Sequence, residues 1–124
     1  PLHAAAMKGH EDAVRLLLEN DADITARDND NKTSLHFAAM NGHENAVRLL
    51  LDKSADIAAT NKDGKTPLHF AAMNGHADAV RLLLDKSADI AATNKDGKTP
   101  LHFAAMNGHA DGVRLLLDKS ADIA

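Results

Sequence analysis

The chain contains no cysteine, no tryptophan and no tyrosine, and only three phenylalanines in 124 residues. Without cysteine there is neither a disulfide framework nor a thiolate metal site. Without tryptophan or tyrosine, the aromatic platforms on which single-stranded nucleic acid stacks are missing. An excess of one charge is lacking too: the net charge is −4, with acidic and basic residues interleaved along the chain. That balance offers no basic face of the kind that follows a phosphate backbone. No apolar run approaches membrane-spanning length, and no signal segment opens the sequence. These absences lead to the expectation of an intracellular, cytoplasmic protein that engages neither nucleic acid nor membrane.

What is present is repetition. Asp63-Gly64-Lys65-Thr66-Pro67-Leu68-His69-Phe70-Ala71-Ala72 returns at Asp96 to Ala105, and Pro1, Ser34, Pro67 and Pro100 are each 33 positions apart. A fixed period of this length denotes stacked supersecondary units. The units run 1–33, 34–66, 67–99 and a truncated 100–124, which together read as a single array over 1–124. Units two and three differ only at Ser34/Pro67, Glu44/Ala77 and Asn45/Asp78, and unit four departs from unit three only at Ala79/Gly112.

Each unit spells out two short helices. Thr66 is a good N-cap, since its hydroxyl can accept from an orphan helix N–H, and Pro67 suits the first helical position. Leu68, Ala71 and Ala72 fall at i, i+3 and i+4 on one face. Gly75 supplies a left-handed stop. A second helix is predicted from about Ala77 to Lys86, with Asp78 in its first turn, where the dipole favours negative charge. Val80, Leu83 and Leu84 form its apolar stripe, Leu82 widens it, and Arg81 and Asp85 face water. Thr93-Asn94-Lys95-Asp96-Gly97-Lys98 then reads as a turn at the tip of a hairpin-like finger. One unit cannot bury a core alone, and stacked units can.

The order T-P-L-H-x-A-A-x-x-G-H, then V-R-L-L-L and A-D-I, resembles the ankyrin repeat. The resemblance covers the whole chain and implies an all-α repeat solenoid, an ankyrin-type stack of antiparallel helix pairs with β-hairpin-like finger loops. It also implies where a partner would bind. On the concave first-helix face lie Met40, Asn41, Met73, Asn74, Met106 and Asn107. At the finger tips lie Asn29, Asp30, Lys32, Lys62, Asp63, Lys65, Lys95, Asp96 and Lys98. Met7 and Lys8 occupy the corresponding places in unit one. A methionine column is adaptable enough to serve a protein partner.

Other motifs lose to the period. Residues 59–66 and 92–99 match a loose phosphate-loop pattern, but no buried strand precedes them and Pro67 removes a helix N–H. Asp28-Asn29-Asp30 begins like a calcium loop, yet Thr33 and Ala39 stand where Gly and Glu are needed. The eight histidines fall at two repeat positions, His3, His36, His69 and His102 after Leu, and His10, His43, His76 and His109 after Gly. No pair has H-E-x-x-H spacing, so a structural role is expected, with the first set bonding to the Thr three residues earlier or to loop backbone. No metal, cofactor or catalytic residue is predicted, because an enzyme site is asymmetric and every candidate here is a repeated position.

Departures from the family pattern carry expectations of their own. Asp21, Ser54, Ser87 and Ser120 replace the glycine that usually follows the second helix, so those turns are expected to close more loosely or differently. Thr25, Ala58, Ala91 and Ala124 replace an Asn, and Asn61 and Asn94 replace an Asp, which should weaken some finger hydrogen bonds. The chain starts within the T-P-L-H motif and stops before another finger, so it reads as an excerpt of a longer array. Val113, Leu116 and Leu117 would then face no further unit, offering self-association through an uncapped C-terminal repeat.

The function expected is a non-catalytic protein–protein interaction module whose partner is not identified by the sequence. The alternative is an engineered or consensus-like structural scaffold with no natural partner. Uniformity of the would-be contact positions favours the alternative, since specificity needs an asymmetric pattern of contacts.

Overall fold

The computed structural model describes residues 1–119, so the expectations attached to Ser120 and Ala124 lie outside the described residues. Those residues form eight helices and no strand. The first helices of the units are α1 (Leu2–Lys8), α3 (Ser34–Met40), α5 (Pro67–Met73) and α7 (Pro100–Met106). The second are α2 (Glu11–Glu19), α4 (Glu44–Asp52), α6 (Ala77–Asp85) and α8 (Ala110–Asp118). Each helix packs on its own partner and on its counterparts in the adjoining units, giving two parallel rows. Fully buried Ala38, Ala39, Ala71, Ala72 and Ala104 line the first row. Side chains this small let neighbouring helices approach closely.

The caps follow the sequence. Thr33, Thr66 and Thr99 accept from the backbone N–H of His36, His69 and His102, and each imidazole reaches back to the N–H of its threonine. This is a capping box with histidine in the place where Glu or Gln usually stands. Gly42 and Gly75 follow the first helices with φ of 72° and 76°, the left-handed conformation that glycine adopts without penalty.

Two expectations are corrected, and a third is narrowed. The turns after the second helices do not close differently. Asp21, Ser54 and Ser87 take φ of 65°, 72° and 73°. Ala55 N–H donates to Leu50 O at 2.9 Å and Ser54 N–H to Leu51 O at 3.0 Å, and Ala88 and Ser87 repeat the pair on Leu83 and Leu84. This double closure is a Schellman motif, held at a residue for which the left-handed region is strained.

The finger bonds are all made with asparagine in place of aspartate. Asn61 Oδ1 accepts from Asp63 N–H at 3.1 Å and Lys65 N–H at 2.8 Å. Asp28 does the same for Asp30 and Lys32 in unit one. The amide also gains a donor that a carboxylate lacks.

Leu116, finally, does not face outward. It is fully buried, as are Leu50 and Leu83, whereas Leu17 at the same position of unit one is only half-buried. Side chains at this position therefore look toward the preceding unit. Leu117 is 42% exposed, while its counterparts Leu51 and Leu84 are half-buried, so that position looks toward the following one.

Candidate functional site

The fingers are bonded into a row. Within each, a short ladder closes the tip: Asn61 N–H donates to Lys65 O at 3.0 Å and Gly64 N–H to Asn61 O at 3.0 Å. Between fingers, Lys62 N–H donates to Asp30 O at 3.0 Å, and Lys95 N–H to Asp63 O at 3.0 Å. The asparagine amides add a second link, Asn61 Nδ2 to Asp30 Oδ2 at 3.0 Å and Asn94 Nδ2 to Asp63 Oδ2 at 3.2 Å.

Charge along this row is partly consumed by it. Asp63 holds two lysines, Lys65 Nζ at 3.2 Å and Lys95 Nζ at 3.3 Å. Burial pushes the Asp63 carboxyl up, but hydrogen bonds from Lys65, Lys95 and Asn94 outweigh it and hold it below the ordinary carboxylate value. The Asn61 amide, aided by Lys32 and Lys62, holds Asp30 low in the same way against a smaller burial effect. Lys65 also lies over the rings of Phe70 and Phe103, 5.7 and 4.9 Å from their centroids, a cation–π geometry that pins the ammonium. The lysine of the phosphate-loop pattern is thus held by Asp63 and two phenyl faces.

The fifteen positions implied by the resemblance fall into two groups. Asn29, Lys62, Lys95 and Asp96 are exposed at the tips, while Asp30, Lys32, Asp63, Lys65 and Lys98 are half-buried in the row. On the helix side, Met40 and Met73 are half-buried and Met106 is 57% exposed. Asn74 and Asn107 turn back to the preceding unit, donating to Met40 O at 2.9 Å and Met73 O at 3.0 Å. Asn41 caps its own helix through Phe37 O. Two of the three amides therefore join units together, and the tips and methionines remain accessible.

Both histidine sets are structural parts of this arrangement. Thr33 N–H donates to His36 Nδ1 at 3.0 Å, so the proton resides on Nε2, which donates to Lys65 O at 3.0 Å in the next finger. His69 bridges Thr66 and Lys98 in the same way. The sequence reading offered threonine or loop backbone as partners; His36 and His69 take both, whereas His102 takes only Thr99 and His3 only the Ala26 carbonyl. Burial lowers the pKa of His36 and of His69, partly offset by the hydrogen bonds to the Lys65 and Lys98 carbonyls. In the second set, His43 and His109 donate through Nε2 to Met7 O at 2.8 Å and Met73 O at 2.9 Å. A Cβ built on Gly9 or Gly42 would stand 2.5 Å from Nδ1 of His43 or His76, so the glycine serves close approach as well as φ.

One contact escaped the sequence reading. Each phenylalanine packs on the histidine of the preceding unit: His36 with Phe70 at 5.7 Å and His69 with Phe103 at 5.8 Å, both edge to face. The signal available was the adjacent placing of His and Phe in units two, three and four, at 36/37, 69/70 and 102/103.

No described helix is long and apolar enough to cross a membrane. A family described as ankyrin repeats (3 copies) matches residues 55–124, and one described as ankyrin repeats (many copies) matches residues 2–51. No curated protein matches the chain.

Proposed function

Because the chain belongs to the ankyrin repeat family, whose members are generally protein–protein interaction modules, we propose that residues 1–124 act as one non-catalytic array. Its partner is a protein, bound across the finger tips and the methionine-bearing side of the first helices. The observation that carries this reading is the bonded row of fingers. Backbone hydrogen bonds fix Asp30, Lys62, Asp63 and Lys95 relative to one another, which lowers the entropy lost when a partner engages several tips at once. A non-catalytic role also fits the repetition, since one surface recurs from unit to unit. We place the protein in the cytoplasm, in keeping with its lack of cysteine. Exposed Met106 and Leu117 on the last helix pair supply a surface for self-association, which sedimentation at rising concentration would detect.

A specific observation favours the scaffold reading as its rival. Asn74, Asn107, Asp63 and Lys65, all at would-be contact positions, are spent on joining units. Capture from cell lysate separates the two readings. The wild-type array is compared with a Lys62→Glu/Lys95→Glu/Met106→Glu variant and with an Arg48→Glu/Arg81→Glu control on the second helices. A protein captured by wild type and control but lost by the tip variant supports the interaction module. Identical captures from all three arrays favour the scaffold.

A further inference from the structure

Charge is sorted between the two sides of the stack. Segments 1–9, 26–42, 59–75 and 92–108, which carry the fingers and first helices, have side-chain charges that sum to +3. The alternating segments 10–25, 43–58, 76–91 and 109–119, which carry the second helices and the turns after them, sum to −6. Building on the reading above, we infer that the finger side takes an acidic protein segment bearing apolar side chains.

Pairing sharpens the asymmetry. On the second helices each arginine is matched by a carboxylate one turn earlier: Arg15 with Glu11, Arg48 with Glu44, Arg81 with Asp78 and Arg114 with Asp111. Acid is left over on that side. On the finger side Asp28, Asp30 and Asp63 are all held by lysines. Among the described residues, Lys8, Arg27, Lys62 and Lys98 form no close ion pair there, against Asp96 alone among the acids. The charge this face can still offer is positive. Beside it run Met40, Met73 and Met106, soft apolar side chains that adapt to a varied partner. Carboxylates on the free lysines and apolar side chains on the methionines would satisfy both features in one ligand. A single-stranded nucleic acid is the poorer match: it would meet little excess positive charge, no stacking tryptophan or tyrosine, and a net acidic second row. Sorted charge of this kind also steers encounter and orients the partner.

Fluorescence anisotropy with three labelled probes tests the inference: a Glu/Leu peptide, a Lys/Leu peptide of the same pattern, and an oligothymidine. The Glu/Leu peptide should bind alone and bind less as salt rises, because exposed charges are screened. Lys62→Gln with Lys98→Gln, one at an exposed tip and one half-buried in the row, should weaken it about fivefold, the effect of losing two ion pairs at the surface. Arg48→Gln with Arg81→Gln should leave it unchanged. Matching thermal melts establish that each variant folds, and Lys62→Gln alone, at an exposed tip, serves if the pair does not. Failure of the Glu/Leu peptide to bind, equal affinity in the lysine variant, or tighter binding of oligothymidine would each overturn the inference. Binding of the Lys/Leu peptide, blocked by Met106→Ala, would overturn the charge assignment while leaving the tips and first helices as the partner surface.

Discussion

Ser54 and Ser87 occupy a backbone conformation that their side chains oppose, and replacing both by glycine should stabilise the protein. Each has φ near 70°, where a Cβ crowds the following carbonyl at a cost of about 1–2 kcal/mol. Glycine removes that crowding but loses more chain entropy on folding, about 0.5–1 kcal/mol relative to alanine. The net gain is about 0.5–1 kcal/mol per site. Both side chains are exposed. The Schellman bonds at the two sites use separate carbonyls, Leu50 and Leu51 against Leu83 and Leu84, so the gains should add. The double variant is therefore expected to gain about 1–2 kcal/mol. With a urea slope of about 2 kcal/mol/M for a domain of this size, the midpoint should rise by roughly 0.5–1 M. Circular dichroism during urea titration measures this, with Ser54→Ala/Ser87→Ala as the control that keeps the Cβ. A double glycine variant no more stable than the alanine control would refute the argument, because the gain would then not come from left-handed strain.

Other substitutions probe single features. Ser34 is fully buried with a hydroxyl that has no protein partner, and proline fills this position in units three and four. Ser34→Pro should stabilise by about 1 kcal/mol or more in thermal melts, combining the relieved hydroxyl with a stiffer unfolded chain. Gly112 has room for a methyl, its nearest neighbour being Ala104 Cβ at 3.7 Å. Gly112→Ala should add about 1 kcal/mol of helix propensity, read as increased protection of α8 amides from hydrogen exchange.

The histidine bridges predict an acid-sensitive stability. His36 and His69 have lowered pKa values in the folded protein. Above the unfolded value of about 6.5 both states are neutral at these rings and stability is complete. As pH falls below that value the unfolded chain takes up protons first, and stability declines until the lowered folded values are reached. Urea melts from about pH 7 to 5 should show this decline, and His36→Gln/His69→Gln should flatten it. An unchanged slope in the variant would assign the acid sensitivity elsewhere.

The parts of this molecule legible in its sequence are those decided within a few residues. Thr66, Pro67 and Gly75 announce a helix start and stop because capping and left-handed φ are local chemistry. Val80 and Leu83 announce a buried face because periodicity is local too. The recurrence of the motif disclosed the stack itself. What escaped were contacts across the seam between units. Phe70 against His36, Asn94 against Asp63 and the direction in which Leu116 points depend on how one helix pair is set upon the next. A repeated sequence shows which positions recur but not which neighbour each one addresses. The strained serines misled for a different reason: their local preference is overruled by two hydrogen bonds and the packing of Leu50 and Leu83. The candidate site was only half legible, since accessible tips and amides consumed in the seam look alike as letters.

The side-chain bridges that tie a helix pair or finger to the one beside it span similar stretches of chain. His36 to Lys65 covers 29 residues, Asn61 to Asp30 covers 31, Asn74 to Met40 covers 34 and His43 to Met7 covers 36. Adding units would multiply such bonds without lengthening the loop that any of them must close. The entropy of closure is then fixed by the period rather than by chain length, and relative contact order falls as an array grows. Folding can start wherever two neighbouring pairs first meet and spread outward in steps of equal difficulty. A one-residue insertion within a finger would disturb this arrangement more than duplication of a whole unit, because duplication preserves the register of every bridge and the insertion does not.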